Sequence, residues 1–86
     1  MSDDIRKKRL WWHSRRGMLE LDVILIPFVE QAFDALSEDD KQRYEDLLAQ
    51  EDTELFVWFM DRQIPEDADL ARIVSMVLEH ARTRKL

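Results

Sequence analysis

The sequence contains no cysteine, a single glycine and two prolines among its 86 residues. Without cysteine the chain forms no disulfide and offers no thiolate to zinc or to an iron–sulfur cluster, and its composition fits a reducing compartment. A single glycine cannot build the glycine-rich loop of a P-loop protein or of a dinucleotide-binding fold. Disulfide frameworks, thiolate metal sites and these two kinds of nucleotide site are therefore excluded.

Long apolar runs are also missing. The longest run, residues 23–29, includes Pro27 and is far shorter than the ~20 apolar residues that a membrane-spanning helix needs. The basic start of the chain is not followed by the apolar region and small-residue cleavage site of a signal peptide. We therefore expect no membrane insertion and a cytoplasmic location.

Sequence signatures of catalysis are sparse. The two histidines, His13 and His80, have no partner at a metal-ligand spacing such as that of His-Glu-x-x-His. No serine lies in a Gly-x-Ser-x-Gly turn, and a chain this short buries too little surface to enclose a deep substrate cavity. The sequence predicts a protein that is not an enzyme, binds no metal and holds no cofactor stably.

The hydrophobic pattern predicts an all-α fold, a compact single-domain bundle of about five helices spanning residues 1–86. No alternating run of β-branched residues and no Asn-Gly turn indicates a strand. The predicted order is a basic N-terminal helix over about residues 3–14, a glycine corner at 15–17, a central helix over about 18–36, and three further helices.

Apolar residues at steps of three and four predict which helix faces pack in the core. The stripe of the central helix comprises Met18, Leu21, Leu25, Phe28 and Ala32. The corresponding residues of the third helix are Tyr44, Leu47 and Leu48, and those of the last helix are Leu70, Ile73, Val74, Val77, Leu78 and Ala81. Ser37, which precedes three acidic residues, is predicted to cap the third helix.

Charge is distributed unevenly along the chain. The net charge is −6, but residues 1–16 carry +4 and residues 17–78 carry −12. The basic N-terminal helix also holds two adjacent tryptophans, which point about 100° apart on a helix, so we expect one inside and one at the surface. An exposed tryptophan among arginines is typical of a binding site. Such a helix could also bind nucleic acid, although the acidic body of the chain, residues 17–78, would repel a long phosphate backbone.

The single glycine stands within Arg16-Gly17-x-x-Glu20, between two predicted helices. Glycine adopts positive φ and lets another surface approach the backbone. An exposed ion pair between Arg16 and Glu20 would stabilise the fold by only ~0–1 kcal/mol, which is too little to explain why these residues flank a glycine corner. We therefore predict a partner-binding surface that presents the guanidinium and the carboxylate together.

These residues are part of a longer match to a known family. The matching segments are Arg16-Gly17-Met18-Leu19-Glu20-Leu21-Asp22, Ile26-Pro27-Phe28, Leu36-Ser37-Glu38-Asp39-Asp40, Leu47-Leu48, Asp52-x-x-Leu55-Phe56-x-Trp58 and Ala68-Asp69-Leu70. In their order and spacing they resemble the SdhE (YgfY) family of bacterial FAD assembly factors, the counterparts of mitochondrial succinate dehydrogenase assembly factor 2. The resemblance covers nearly the whole chain.

The resemblance implies a five-helix protein without catalysis of its own. Such a protein binds the flavoprotein subunit of succinate dehydrogenase, or of the related fumarate reductase, and promotes covalent attachment of FAD to that subunit. Carried over by position, the resemblance implies a partner-binding face formed by Arg9, Trp12, Arg16, Gly17, Met18, Glu20 and Asp22. It assigns no role to Trp11 or His13.

We further expect a monomer with no nucleic-acid partner. The alternative is a small interaction protein with another target, such as an antitoxin-like or nucleic-acid-binding adaptor. Specific capture of a flavoprotein subunit would exclude that alternative as the main role, whereas salt-sensitive binding of RNA or DNA would support it.

Overall fold

The computed structural model describes residues 2–83, and the side chains of residues 4–83. The helices are α1 (Ser2–Ser14), α2 (Leu19–Gln31), α3 (Glu38–Leu48), α4 (Asp52–Met60) and α5 (Ala68–Thr83), with a 3-10 turn at Phe33–Ala35. The predicted all-α fold is confirmed, and the described residues contain no strand.

Helix α2 lies at the centre of the bundle and contacts α1, α4 and α5. Its residues Leu21, Leu25 and Phe28 are buried, as their spacing predicts. The facing side chains of the same core cluster include Leu10, Tyr44, Leu47, Leu55, Phe59, Ile73, Val74 and Val77. Because each fully buried large apolar side chain stabilises a fold by roughly 1.5–3 kcal/mol, this cluster is the main driving force for folding.

The central helix is shorter than the sequence analysis predicts. We expected it to extend to about residue 36, but α2 ends at Gln31 and the chain continues through Ala32 into the 3-10 turn. The chain leaves the helical path before α3 begins at Glu38, and a tight 3-10 turn is a common end to a helix. The spacing of apolar residues in the sequence does not indicate where this helix ends.

Helix α3 begins with the predicted cap. The hydroxyl of Ser37 accepts a hydrogen bond of 3.1 Å from the backbone N–H of Asp40. The buried carboxylate of Asp40 in turn accepts hydrogen bonds from Arg72 on α5 (2.8 and 3.1 Å) and from Arg43 (2.8 Å). These two guanidiniums, Arg72 above all, lower the pKa of Asp40 to about 2. One carboxylate thus ties α3 to α5.

The end of α1 is anchored in the core by Leu10 and Ser14, both fully buried. The hydroxyl of Ser14 donates to the carbonyl of Leu10 (2.7 Å) and lies 2.6 Å from the hydroxyl of Tyr44. Burial is the main reason why the pKa of Tyr44 is raised. The last turn of α1 is therefore held in place immediately before the glycine corner.

Candidate functional site

The chain turns between α1 and α2 at Gly17, which adopts φ = +83°. Residues other than glycine adopt this left-handed region only at a cost. A Cβ atom added at Gly17 would have no heavy atom within 4 Å, so the space in front of the backbone is open. The sequence needs glycine here for its conformation, and the open space lets another surface reach the main chain.

Asp22 and Met18 shape the inner side of this corner. The carboxylate of Asp22 accepts a hydrogen bond of 2.8 Å from the backbone N–H of Arg16. The carbonyl of Met18 accepts from the backbone N–H groups of Leu21 (3.0 Å) and Asp22 (2.9 Å), so it begins α2. The Met18 side chain is half-buried against the core. In the free chain, both predicted site residues stabilise the corner.

The guanidinium of Arg16 points toward the junction of α3 and α4. It donates to the carbonyls of His13 (3.0 Å), Leu48 (2.9 Å) and Gln50 (2.8 Å), and its Nε lies 2.7 Å from a carboxylate oxygen of Asp52. Only 15% of the side chain is exposed. Carbonyls at a helix C-terminus lack partners within the helix, and this guanidinium provides them at the end of α3.

This geometry corrects one expectation from the sequence. We expected the guanidinium of Arg16 and the carboxylate of Glu20 to be presented together, but the guanidinium is engaged inside the chain. Sequence reasoning missed this orientation because the receiving groups of Leu48 and Asp52 are 32 and 36 residues further along the chain. No local pattern in the sequence reports such a contact.

Glu20, in the first turn of α2, is exposed. It forms no hydrogen bond or ion pair with any residue that the structure describes. Beside it on α2 are Leu19, which is 74% exposed, and Val23, also exposed. Sequence reasoning missed these two apolar residues; the available signal was their position outside the core stripe, four residues apart on one helix face.

The last turn of α1 borders the corner. Trp12 is 61% exposed, whereas Trp11 is half-buried and its indole N–H donates to Glu30 on α2 (2.8 Å). The expectation of one inward and one outward tryptophan is confirmed. The guanidinium of Arg15 lies 5.6 Å and 5.7 Å from the ring centroids of Trp11 and Trp12, within the range of a cation–π contact. His13 is exposed on the same turn.

The basic residues of α1 are partly neutralised by acidic residues of the body. The ion pairs are Arg6 with Glu38 and Glu45, Lys7 with Asp34, and Arg9 with Glu45. Arg9 remains largely exposed beyond its 3.3 Å contact. The basic helix is therefore docked on acidic side chains, which reduces the positive surface that a phosphate backbone could meet.

The surface of the described residues includes depressions of different sizes. A shallow hollow of about 440 Å³ next to Trp12 is bordered by Arg15, Arg16 and Asp52, and a larger cleft of about 730 Å³ lies between α4 and α5. Within the described part of the chain, no three acidic or histidine side chains gather in a way that could hold a metal ion. The same residues include no helix with the length and apolarity to cross a membrane.

Comparisons with a protein-family model and with individual relatives indicate the same family. Residues 8–81 match a family model described as the flavinator of succinate dehydrogenase. The FAD assembly factor SdhE of Pseudomonas aeruginosa is 54% identical over 79 residues, covering 92% of this chain and 94% of that protein. SdhE of Pseudomonas savastanoi is 48% identical over 84 residues (98% and 100%), and that of Pectobacterium atrosepticum is 41% identical over 71 residues (83% and 81%). The chain therefore belongs to the family of succinate dehydrogenase flavinators.

Proposed function

We propose that this chain is an assembly factor that binds the flavoprotein subunit of succinate dehydrogenase and promotes the covalent attachment of FAD to that subunit. The description of the family model and the names of the relatives support this assignment. We extend the proposal to the flavoprotein of fumarate reductase as a second partner. The chain would act as a cytoplasmic monomer, without catalysing the attachment and without holding FAD stably.

The observation that carries the proposal is the exposed carboxylate of Glu20, which has no partner among the described residues and lies beside the open backbone of Gly17. Arg16 and Asp22 brace this corner from inside. Because these contacts hold the backbone of the corner in place, the backbone loses little conformational freedom on binding, and more of the contact energy appears as affinity. An exposed carboxylate next to approachable main chain suits recognition of hydrogen-bond donors on a partner.

A non-catalytic binder can promote a reaction of its partner by changing populations. The flavoprotein would supply the reacting groups, and the assembly factor would bind the conformation competent for attachment more tightly than the others. The shift is limited by that difference in affinity: each tenfold preference is worth about 1.4 kcal/mol. Contacts of Glu20 and Gly17 that exist only in the competent conformation would supply this difference.

The experiment measures in-gel flavin fluorescence of the denatured flavoprotein from cells that lack the chain and from cells supplied with variants. Wild type should restore the covalent flavin signal, and Glu20→Gln, which removes the charge at constant shape, should restore at most a tenth of it. Asp39→Asn is the matched control, because Asp39 is also an exposed acid in the first turn of a helix, here α3. It should behave as wild type.

Two results would contradict the proposal. A flavin signal that is unchanged without the chain would mean that attachment does not depend on it, and a Glu20→Gln variant as active as wild type would remove Glu20 from the site. Salt-sensitive binding of RNA or DNA in place of the flavoprotein would favour the adaptor role instead.

A further inference from the structure

The cleft between α4 and α5 is not part of the corner described above. Its apolar lining includes Ile24 of α2, Trp58 of α4, and Val74 and Leu78 of α5. Ile64 also lines the cleft and is 81% exposed, so it extends this apolar lining to the surface; contiguous apolar patches of this kind, rather than single exposed residues, mark binding sites. The cleft is thus an apolar surface that the described chain leaves uncovered.

Arg62 lines the same cleft and has an unusual backbone. Its φ is +58°, immediately after the end of α4, a position that glycine commonly occupies in other helices. The side chain is exposed and forms no hydrogen bond or ion pair with the residues the structure describes. This conformation closes the end of α4, where the backbone N–H groups of Asp61 and Gln63 both donate to the carbonyl of Val57. It leaves the guanidinium of Arg62 available to an anion.

The surface of the corner continues into this cleft along α2. Glu20 and Ile24 are one helical turn apart, so they lie on the same face, and Ile24 lines the cleft. A stable protein–protein interface takes roughly 800 Å² and about 20–30 residues from each partner. The corner and the last turn of α1 provide fewer residues than this. An interface of the usual size would therefore extend along α2 toward α4 and α5.

We propose that the cleft receives an apolar segment of the flavoprotein that carries a carboxylate. The apolar side chains of this segment pack against Trp58 and Ile64, and its carboxylate pairs with the guanidinium of Arg62. The charge fits, because two guanidiniums line the cleft: that of Arg82 pairs with Glu79, whereas that of Arg62 has no partner among the described residues. This inference rests on the proposed function and adds a second contact region to it.

The test is a calorimetric titration of the purified flavoprotein subunit of succinate dehydrogenase with the whole chain. We expect Arg62→Gly and Ile64→Ser each to weaken binding at least tenfold. Glycine suits the left-handed backbone of position 62 better than arginine does, so Arg62→Gly should unfold in urea no earlier than wild type. Arg62→Lys keeps the charge but loses the planar fork, and it should weaken binding less than glycine.

Glu20→Gln in the same titration separates the two proposals. Binding that is weakened by Glu20→Gln but unchanged by Arg62→Gly and Ile64→Ser would overturn the cleft contact and leave the proposed function standing. Failure of wild type to bind the flavoprotein would overturn both. A photo-crosslinker at position 64 should react with a flavoprotein peptide that has an Asp or Glu close to the crosslink, and reaction with a segment lacking acids would contradict the inference.

Discussion

Glu20 and Asp40 are both acids in the first turn of a helix, but their surroundings are opposite. Asp40 is 4% exposed, and its carboxylate is shared by Arg43 and Arg72. Glu20 is exposed and has no partner among the described residues. The helix dipole favours an acid at either position, so the position alone does not reveal a role. The difference lies in whether the fold already uses the carboxylate.

The same contrast separates two arginines near helix ends. Arg16 donates to the carbonyl of His13 in α1, to two carbonyls around the end of α3 and to Asp52. Arg62 follows α4 in a left-handed conformation, and its guanidinium has no partner among the described residues. The satisfied groups hold the bundle together, and the unsatisfied ones lie on the surface proposed for the partner. Comparing two residues of the same type in this way distinguishes those that stabilise the fold from those that are available to a partner.

The largest effect on flavin attachment should come from Gly17→Arg. The strained φ costs about 1–2 kcal/mol, which a small domain with ~5–15 kcal/mol of stability tolerates. The new side chain meets no atom of its own chain near the Cβ position but fills the space in front of the corner. We expect an unchanged helical circular dichroism spectrum and loss of nearly all of the covalent flavin signal.

Gly17→Asn is the matched control, because asparagine adopts positive φ more readily than other residues and has a short side chain. It should keep a substantial part of the activity. Equal loss with asparagine and arginine would mean that the partner contacts the glycine backbone itself. Full activity of Gly17→Arg would show that no surface approaches the corner.

Arg16→Ala should show the largest loss of stability. It leaves the carbonyls of Leu48 and Gln50 and the carboxylate of Asp52 without this donor, at a cost of about 2–3 kcal/mol. For a domain of this size, Tm should fall by roughly 10–20 °C. The measurement is the Tm of both variants in thermal unfolding. Glu20→Gln should unfold at the wild-type temperature, whereas Arg16→Ala should unfold below it.

Arg16→Lys tests the geometry of the same contact. Lysine keeps the charge but cannot reach all four acceptors in one plane, so its stability should lie between those of wild type and alanine. If Arg16→Ala unfolds as wild type does and yet loses flavin attachment, the guanidinium acts on the partner directly, and the expectation from the sequence regains its support.

The fold could be predicted from the sequence because the evidence for it is local. Stripes such as Leu21, Leu25 and Phe28 repeat within a few residues, and the Ser37 cap is followed directly by its helix. The end of α2 at Gln31 was not predictable in the same way, because the turn that follows depends on where α3 packs. Local patterns specify helices better than they specify how a chain leaves them.

The glycine corner could be located from the sequence, but the contacts of its residues could not. Gly17 stood out by composition, and Glu20 by its distance from Gly17. The inward orientation of Arg16 depends on carbonyls more than 30 residues away, which only the packed structure brings near. Arg62 left no signal at all, because its significance comes from the positive φ and the cleft beside it.

The smallest effect, confined to stability, should come from Asp40→Asn. The variant loses the charge and keeps only one of the two oxygens that accept from Arg43 and Arg72, so we expect a loss of about 1–2 kcal/mol at pH 7. The guanidiniums of Arg72 and Arg43 lower the pKa of Asp40 from 3.8 to about 2, so the ionised carboxylate stabilises the fold fully above about pH 4. That contribution disappears as the pH falls through about 2.

Urea unfolding of wild type and Asp40→Asn should therefore show a difference in the free energy of unfolding that is constant near neutrality and shrinks between pH 4 and 2. A difference that stays constant down to pH 2 would mean that ionisation of Asp40 contributes nothing to the network and that its hydrogen bonds act through geometry alone.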